Sequence, residues 1–337
     1  MATTRPLRFG LWYDFRNPPQ WRQDPTTLYK AILAQVRRAE ELGWDDVWLS
    51  EHHFIADGYT PSMLPLACAM AATTTRIRIG TSVLLLPLHD PVRVAEDAAT
   101  VDIVSGGRFE FGVGAGYRKG EFEGFGVART ARGGRVREGV TIMRRLFDGE
   151  RFSFAGQHYR YGEIALHPLP VQPRLPIWMG GFTPPAIRRA ARLADGFIAI
   201  GPIRPLVDLY RQELADLGRA PDDHEVAGGF AWLLVARDPA RRWREACDHF
   251  LYQINLYAEW FGEVGMGVAA YARSAEDLQQ QGVMIVTPEQ AIEKIRSYVA
   301  DNLVTRFYGW TVPPGLPPAW CDEHVELMAT AVMPAFR

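Results

Sequence analysis

Three polar residues that could carry acid–base or metal chemistry stand directly after an apolar run. Glu51, His52 and His53 follow the strand-like segment "DVWLS" and precede Phe54. An imidazole can exchange protons near neutral pH, and a neighbouring carboxylate can orient it. The alternative interpretation is a polar strand end in which one of the two histidines is simply satisfied within the core.

Metal binding at these residues is not expected, and the sequence predicts no metal site. Successive side chains of an extended backbone point to opposite sides, so His52 and His53 would not face one ion. Zinc requires further ligands, and the other histidines lie in unrelated contexts: His89, His158, His167, His224, His249 and His324.

A glycine-rich stretch, residues 111–126, follows a predicted strand. The glycines at 112, 114 and 116 suggest a backbone that approaches a ligand closely. A dinucleotide fingerprint is not indicated, because no helix with an acidic residue about 20 positions further on follows. Tyr117 and Arg118 come next and offer an aromatic face and a cation for an anionic ligand, or they belong to a solvated loop.

A second glycine pair is the better candidate for phosphate binding. Gly180 and Gly181 end a predicted strand, and Phe182 and Thr183 lead into a predicted helix. The first N–H groups and the dipole of that helix would point towards the turn, as in many phosphate sites. The alternative is that the two glycines only make a tight turn between strand and helix.

Composition excludes several functional classes. The chain of 337 residues is 47% hydrophobic, and its net charge is −2 with no basic run, so a nucleic-acid partner is not expected. No apolar stretch long enough for a membrane span or a signal peptide is present. Three distant cysteines, Cys68, Cys247 and Cys321, fit a reducing cytoplasm better than a disulfide framework.

Strand-like runs alternate with helical patterns along the whole chain, which predicts an α/β fold with a (β/α)₈ TIM barrel as one domain, residues 1–337. Asp-Pro or Thr-Pro pairs mark helix starts, because the first residue caps and proline needs no N–H there. Two insertions are expected: a hairpin at about 148–174, and a lid or mobile segment at 254–286. The predicted strands are 7–13, 46–50, 77–86, 108–114, 175–181, 196–200, 230–236 and 303–309.

Taken together, these stretches resemble the bacterial luciferase-like family of flavin-dependent monooxygenases. The similarity is strongest from "LGWDDVWLSEHHF" through "IRIGTSVLLLPLHD" to "RFEFGVGAGYRKGEFEGFG", and it returns at "LPIWMGGFTPPAIRRAARLADGF" and "VTPEQAIEKIRSYV". The resemblance implies a TIM barrel, a reduced flavin at the C-terminal ends of the strands, and usually a homodimer. It implies that Glu51 lies at the cofactor and that His52 lies beside the isoalloxazine and supports the oxygen chemistry.

The same resemblance implies a non-prolyl cis peptide between Ser82 and Val83, whose bulge would support the flavin ring. Luciferase itself has a cysteine and an arginine where this chain has Gly114 and Ala115. Phosphate binding is therefore expected to shift to the turn at residues 180–183, with help from Arg118. Light emission from a long-chain aldehyde is not expected.

The leading hypothesis is a monooxygenase that receives reduced FMN (FMNH₂) from a separate flavin reductase and transfers one oxygen atom of O₂ to a small organic substrate. An F420-dependent hydride-transfer enzyme is the main alternative, although that branch more often has Asp in place of Glu51. A non-catalytic flavin-binding protein and a metal-dependent barrel hydrolase rank lower. Aromatic residues near predicted strand ends favour an apolar or aromatic substrate, or else belong to the core: Trp12, Phe54, Trp178 and Trp310.

Overall fold

The structure is a computed structural model that describes residues 6–265 and 271–337. Its strands are, in chain order, β1 (Arg8–Tyr13), β2 (Asp46–Leu49), β3 (Arg78–Thr81), β4 (Leu84–Leu85), β5 (Phe109–Gly114), β6 (Phe152–Ala155), β7 (Arg160–Ile164), β8 (Ile177–Gly180), β9 (Gly196–Ile198), β10 (Glu225–Gly228), β11 (Trp232–Val235), β12 (Val283–Val286) and β13 (Arg306–Trp310).

Eight of these strands close into a parallel ring, so the predicted (β/α)₈ barrel is confirmed. The order around the ring is β1, β2, β3, β5, β8, β9, β10 and β13, and β13 pairs again with β1. Because the strands are parallel, their C-terminal ends meet at one face of the barrel, where barrel enzymes place their functional residues.

The helices connect these strands on the outside of the ring. They are α1 (Pro25–Leu42), α2 (Met63–Thr73), α3 (Pro91–Ser105), α4 (Lys119–Gly124), α5 (Arg132–Phe147), α6 (Pro184–Leu193), α7 (Arg204–Asp216), α8 (Pro239–Glu263), α9 (Ala275–Gln280), α10 (Pro288–Asn302) and α11 (Asp322–Leu327). Within the described ranges, no helix is long and apolar enough to cross a membrane.

The proline pairs mark helix starts with one exception. Helices α1, α3, α6, α8 and α10 begin at the proline of such a pair, and Thr287 forms a capping box with Gln290 at α10. Helix α2 begins at Met63 instead of Pro61. The reason is that Thr60 uses its backbone N–H and its hydroxyl to hydrogen-bond the carbonyl of Asp14, which ties the segment after β2 to the end of β1.

Two of the predicted strands differ in the structure. The run 77–86 is divided into β3 and β4 at Ser82–Val83, whose peptide bond is cis as the resemblance implies. The apolar run 230–236 lies outside the ring: β11 pairs with β12 in a separate parallel sheet, and β10 takes its place in the barrel. Strand β10 is less apolar than β11 because it contains Glu225, which pairs with Arg306.

The two predicted insertions have defined structure in the described residues. Strands β6 and β7 form an antiparallel hairpin within residues 148–174. The range 254–286 contains the end of α8, the short α9 and β12, so much of it is regular structure. Residues 266–270 of the predicted lid lie outside the described residues.

A buried cluster of ion pairs lies inside the N-terminal half of the barrel. Arg306 of β13 contacts Asp46 of β2 at 3.1 Å, Glu110 of β5 at 3.0 Å and Glu225 of β10 at 2.7 Å. The guanidinium also lies 4.6 Å from the ring centre of Trp178. A buried arginine requires such partners, because an uncompensated charge in the interior is costly.

His324 of α11 predicts a loss of stability in mild acid. Its Nδ1 accepts a hydrogen bond from the backbone N–H of Val235 at 3.0 Å, and burial lowers its pKa to about 3. The unfolded chain binds a proton near pH 6.5, so this contribution is present above that pH and is lost as the pH falls. Between pH 7.5 and 5.5 we expect a loss of about 1.4 kcal/mol in the free energy of unfolding.

The measurement is urea unfolding at the two pH values for the wild type and for His324→Gln, which retains an acceptor for Val235. The variant should lack this component of the pH dependence. An identical decrease in both proteins would contradict the assignment to His324.

Candidate active site

The polar residues that follow β2 separate into two networks at the C-terminal face of the barrel. His52 Nδ1 lies 2.7 Å from Oε1 of Glu121 in α4, whereas His53 Nε2 lies 2.5 Å from Oε1 of Glu51. All four side chains are buried. The neighbouring histidines therefore diverge and serve different carboxylates.

Glu121 fixes the orientation and the tautomer of His52. Burial alone would raise the pKa of Glu121, but the hydrogen bonds from His52 and from the backbone of His53 and the charge of Arg118 lower it, so the carboxylate is ionised. Burial lowers the pKa of His52 despite this carboxylate. A neutral imidazole then donates from Nδ1 to Glu121, and its Nε2 is left as an acceptor. Among the described residues, no side chain or backbone group hydrogen-bonds that Nε2.

Aromatic rings enclose His52. The ring centres of Tyr59, Trp260, Tyr117 and Tyr257 lie 4.7, 4.8, 5.7 and 6.2 Å from that of the imidazole. The hydroxyls of Tyr59 and Tyr257 are 3.0 Å apart, which joins the segment after β2 to helix α8. Such a lining excludes water and strengthens the polar interactions within it.

Two arginines in this wall are already paired with carboxylates. Arg118 donates to Glu121 Oε1 at 3.3 Å and to the carbonyl of His53 at 3.1 Å, and it lies 4.3 Å from the ring centre of Trp260. Arg16 donates from Nε to Asp57 at 2.7 Å. Arg118, which the sequence assigns to phosphate binding, is thus an ion-paired part of the wall around His52.

The second network surrounds Glu51. Its Oε1 contacts Nε2 of His53 and, at 2.7 Å, Nε2 of His89, while its Oε2 accepts from the N–H of Leu85 at 2.8 Å. Burial alone would raise the pKa of Glu51, but the two histidines lower it to about 2. Both oxygens are therefore held by the protein. The prediction that His89 lies in a context unrelated to these residues is therefore wrong.

The glycines of residues 111–126 permit close approach within the chain. A Cβ at Gly112 would lie 1.8 Å from the carbonyl oxygen of Thr81, and one at Gly114 would lie 2.4 Å from Val83. Ser82 hydrogen-bonds the hydroxyl of Tyr308 across the barrel at 2.9 Å. These glycines thus make room for the chain around the Ser82–Val83 bond. This close packing explains why glycine is needed at positions 112 and 114, whether or not a ligand also approaches them.

The turn at residues 180–183 has features that suit an anionic group. Gly180 ends β8, Thr183 precedes α6 and its hydroxyl makes no capping hydrogen bond, and the side chain of Phe182 is exposed. Within α6, Arg189 has a buried Nε without a hydrogen-bond partner in the described residues. Burial and the nearby charges of Arg132 and Arg137 lower the pKa of Arg189, so positive charge accumulates where α6 packs on the start of α5.

The four aromatic residues expected in the substrate pocket occupy different places. Trp12 and Trp310 stack at 4.2 Å, and Trp310 lies 5.4 Å from Tyr257, so this pair reaches the wall of the His52 pocket. Trp178 donates to Glu110 at 2.7 Å inside the barrel. Phe54 is 66% exposed and packs on Phe125, on the side of His53. Trp178 and Phe54 therefore do not line the pocket.

Several known proteins are similar to this chain in sequence. The family model described as luciferase-like monooxygenase matches residues 7–305. An F420-dependent glucose-6-phosphate dehydrogenase of Nakamurella multipartita is 30% identical over 88% of both chains. The uncharacterised protein y4vJ of Sinorhizobium fredii is 29% identical, and that match spans just over half of its length, 56% of each chain.

Two solved structures share the fold. The monooxygenase RslO1 of Streptomyces bottropensis superimposes with a TM-score of 0.85 at 21% identity, over 98% of this chain and 100% of that one. The oxygenating constituent of 3,6-diketocamphane monooxygenase of Pseudomonas putida, solved with FMN, gives a TM-score of 0.81 at 20% identity over 98% of both chains. With the family match over most of its length, the chain belongs to the luciferase-like monooxygenase family.

Proposed function

We propose that this protein is a monooxygenase that uses reduced FMN and O₂ to oxygenate an apolar or aromatic organic substrate, with a separate reductase supplying the flavin. The observation that carries the proposal is the aromatic enclosure of His52, whose Nδ1 is held by Glu121 at 2.7 Å. A neutral imidazole in a dry site, with Nε2 available, can accept a proton and return it.

The residues at the barrel mouth fit a flavin. The Ser82–Val83 segment would lie under the ring system, and the turn at 180–183 would hold the phosphate, where the hydroxyl of Thr183 makes no capping hydrogen bond to α6. The buried hydroxyl of Tyr117 has no protein partner in the described residues and is a further candidate contact. When bound, the reduced flavin supplies the activation of O₂.

The protein itself orients His52, excludes water from the site and provides a group for proton transfer. Tyr59, Tyr257 and Trp260 cover His52, and Glu121 holds its Nδ1 and leaves its Nε2 without a partner in the described residues. Because reactive oxygen species form readily when water and protons reach such a site, this exclusion of water favours transfer of the oxygen atom to the substrate.

F420-dependent hydride transfer is the second candidate. Its support is the relative from Nakamurella multipartita, which is named for F420 and glucose 6-phosphate. The surroundings of His52 are mainly aromatic, however, and Arg16 and Arg118 are each paired with a carboxylate, although both terminal nitrogens of Arg16 have no hydrogen-bond partner in the described residues. We therefore favour FMN and a less polar substrate.

The deciding experiment mixes the protein and reduced FMN, prepared without oxygen, with aerated buffer. Flavin reoxidation should follow a rate different from that of free flavin. In a panel of small carbonyl and aromatic compounds, a product heavier by one oxygen atom should form only with protein present. Reoxidation at the free-flavin rate, together with tight binding of F420 and its reduction by a substrate, would overturn the proposal in favour of hydride transfer.

Glu121→Gln tests the role of the carboxylate that holds His52. The amide retains the size but not the charge, so we expect turnover to fall roughly tenfold to 100-fold. Because Glu121 raises the pKa of His52, its loss should shift the acid limb of the pH–rate profile to lower pH. Glu123→Gln, on the exposed side of the same helix, is the matched control. An unshifted acid limb would contradict the pairing.

A further inference from the structure

A group of potential metal ligands lies outside the His52 pocket. Glu51 and His53 follow β2, and His89 follows the turn Leu86–Leu88 after β4. One carboxylate oxygen and two imidazole nitrogens from these side chains lie within 4.8 Å of one another. Long-range folding therefore brings together three residues that the sequence separates by up to 38 positions.

The kind and arrangement of these donors suit a divalent transition metal. Two histidine nitrogens and one carboxylate oxygen form a ligand set that binds Zn²⁺ and related ions and leaves a position open for water. Both nitrogens are Nε2 atoms directed at the same oxygen of Glu51, at 2.5 and 2.7 Å. Both imidazole nitrogens thus already face the same carboxylate oxygen.

The surroundings support the ligands and leave a route of entry. The N–H of Leu85 holds the second oxygen of Glu51 at 2.8 Å, as outer hydrogen bonds commonly do for metal-binding carboxylates. Phe125 covers His53, with ring centres 4.7 Å apart. Glu51 and His53 are buried, whereas the side chain of His89 is 28% exposed, so an ion can approach from its side.

We propose that Glu51, His53 and His89 form a binding site for a divalent transition-metal ion, best matched by Zn²⁺. The ion replaces the protons that the carboxylate shares with the two imidazoles, and each imidazole nitrogen moves to about 3.3 Å from the carboxylate oxygen for tetrahedral coordination. The exposed ring of His89 can make that movement. Bound metal would tie the segment after β2 to the segment after β4, and the site does not depend on which flavin the protein uses.

The test uses Co²⁺ alone as the probe, on the full chain after treatment with a chelator at pH 7.5. The wild type should bind one Co²⁺ per chain with visible absorption bands typical of low coordination, and Zn²⁺ should displace it. His89→Gln should weaken binding at least tenfold, because one of three ligands is lost. His167→Gln, on the exposed part of the insertion, should bind as the wild type does.

Zn²⁺ should also raise the thermal midpoint of the wild type and leave that of His89→Gln unchanged. Circular dichroism checks that His89→Gln is folded, which its partly exposed position favours. Lack of stoichiometric Co²⁺ binding by the wild type, or equal affinity in His89→Gln, would overturn the proposal. Neither readout involves flavin or turnover, so failure here is distinct from failure of the proposed function.

Discussion

His52→Ala should lower turnover roughly 100-fold or more while the affinity for reduced FMN changes little. The imidazole is the titratable group at the centre of the aromatic pocket, and general acid–base groups contribute about 10²–10⁴ to rates. Its side chain contacts Glu121 and the surrounding rings, whereas the turn proposed for the phosphate lies at residues 180–183. The variant should therefore lose turnover and keep its affinity for reduced FMN.

Single-turnover assays and flavin titrations of the same variant measure the two effects. His158→Ala, in the hairpin insertion, is the control for loss of an imidazole elsewhere. If His52→Ala turns over as fast as the wild type, the proton-transfer role of His52 is wrong. If it loses flavin affinity in proportion to turnover, His52 binds the cofactor instead.

Gly112→Ala should destabilise the fold by roughly 3 kcal/mol or prevent folding, because overpacking of this severity has no flexible neighbour to absorb it. The added Cβ would lie 1.8 Å from the carbonyl oxygen of Thr81, which is backbone within the β3–β5 pair. The hydroxyl of Thr81 also bridges to the backbone of Gly112 at 2.7 and 2.8 Å, so separating the strands breaks those bonds too.

Denaturant unfolding and soluble yield measure this effect. Gly120→Ala is the matched control: it lies in α4, and an added Cβ meets nothing within 4 Å. Alanine is also the better helix former by about 1 kcal/mol, so this variant should be as stable as the wild type or slightly more so. Equal stability of both variants would show that β3 and β5 separate at little cost.

The barrel and most helix starts could be predicted because their signals are local. Asp90 and Pro91, for example, determine the start of α3 by capping chemistry within one turn. Strand β10 was missed because its Glu225 is paired in the barrel with Arg306, more than 80 residues away in the chain. The apolar run of β11 had the stronger strand signal, although it lies outside the ring.

The site was only partly predictable, because several of its residues are brought together by contacts between distant parts of the chain. His52 and Tyr117 stand in recognisable stretches, and the structure brings them together. Glu121 lies in a run of charged residues that has the composition of a solvated loop, and its burial depends on His52 and Arg118. Trp260 and Tyr257 reach the pocket from α8, and no local pattern links a helix residue to a strand end about 200 positions earlier.

The ion cluster around Arg306 bears on how the barrel closes. A strand that slips by two residues keeps the same side chains facing inward, so alternation of apolar residues does not prevent the slip. It would, however, move a carboxylate by about 6.6 Å along the strand. Since Asp46, Glu110 and Glu225 come from three different strands, a slip of any one would separate its carboxylate from Arg306, and for the buried Asp46 and Glu110 the unpaired charge would cost about 3–5 kcal/mol. Charge pairing thus selects one stagger among those that hydrophobic packing alone would accept.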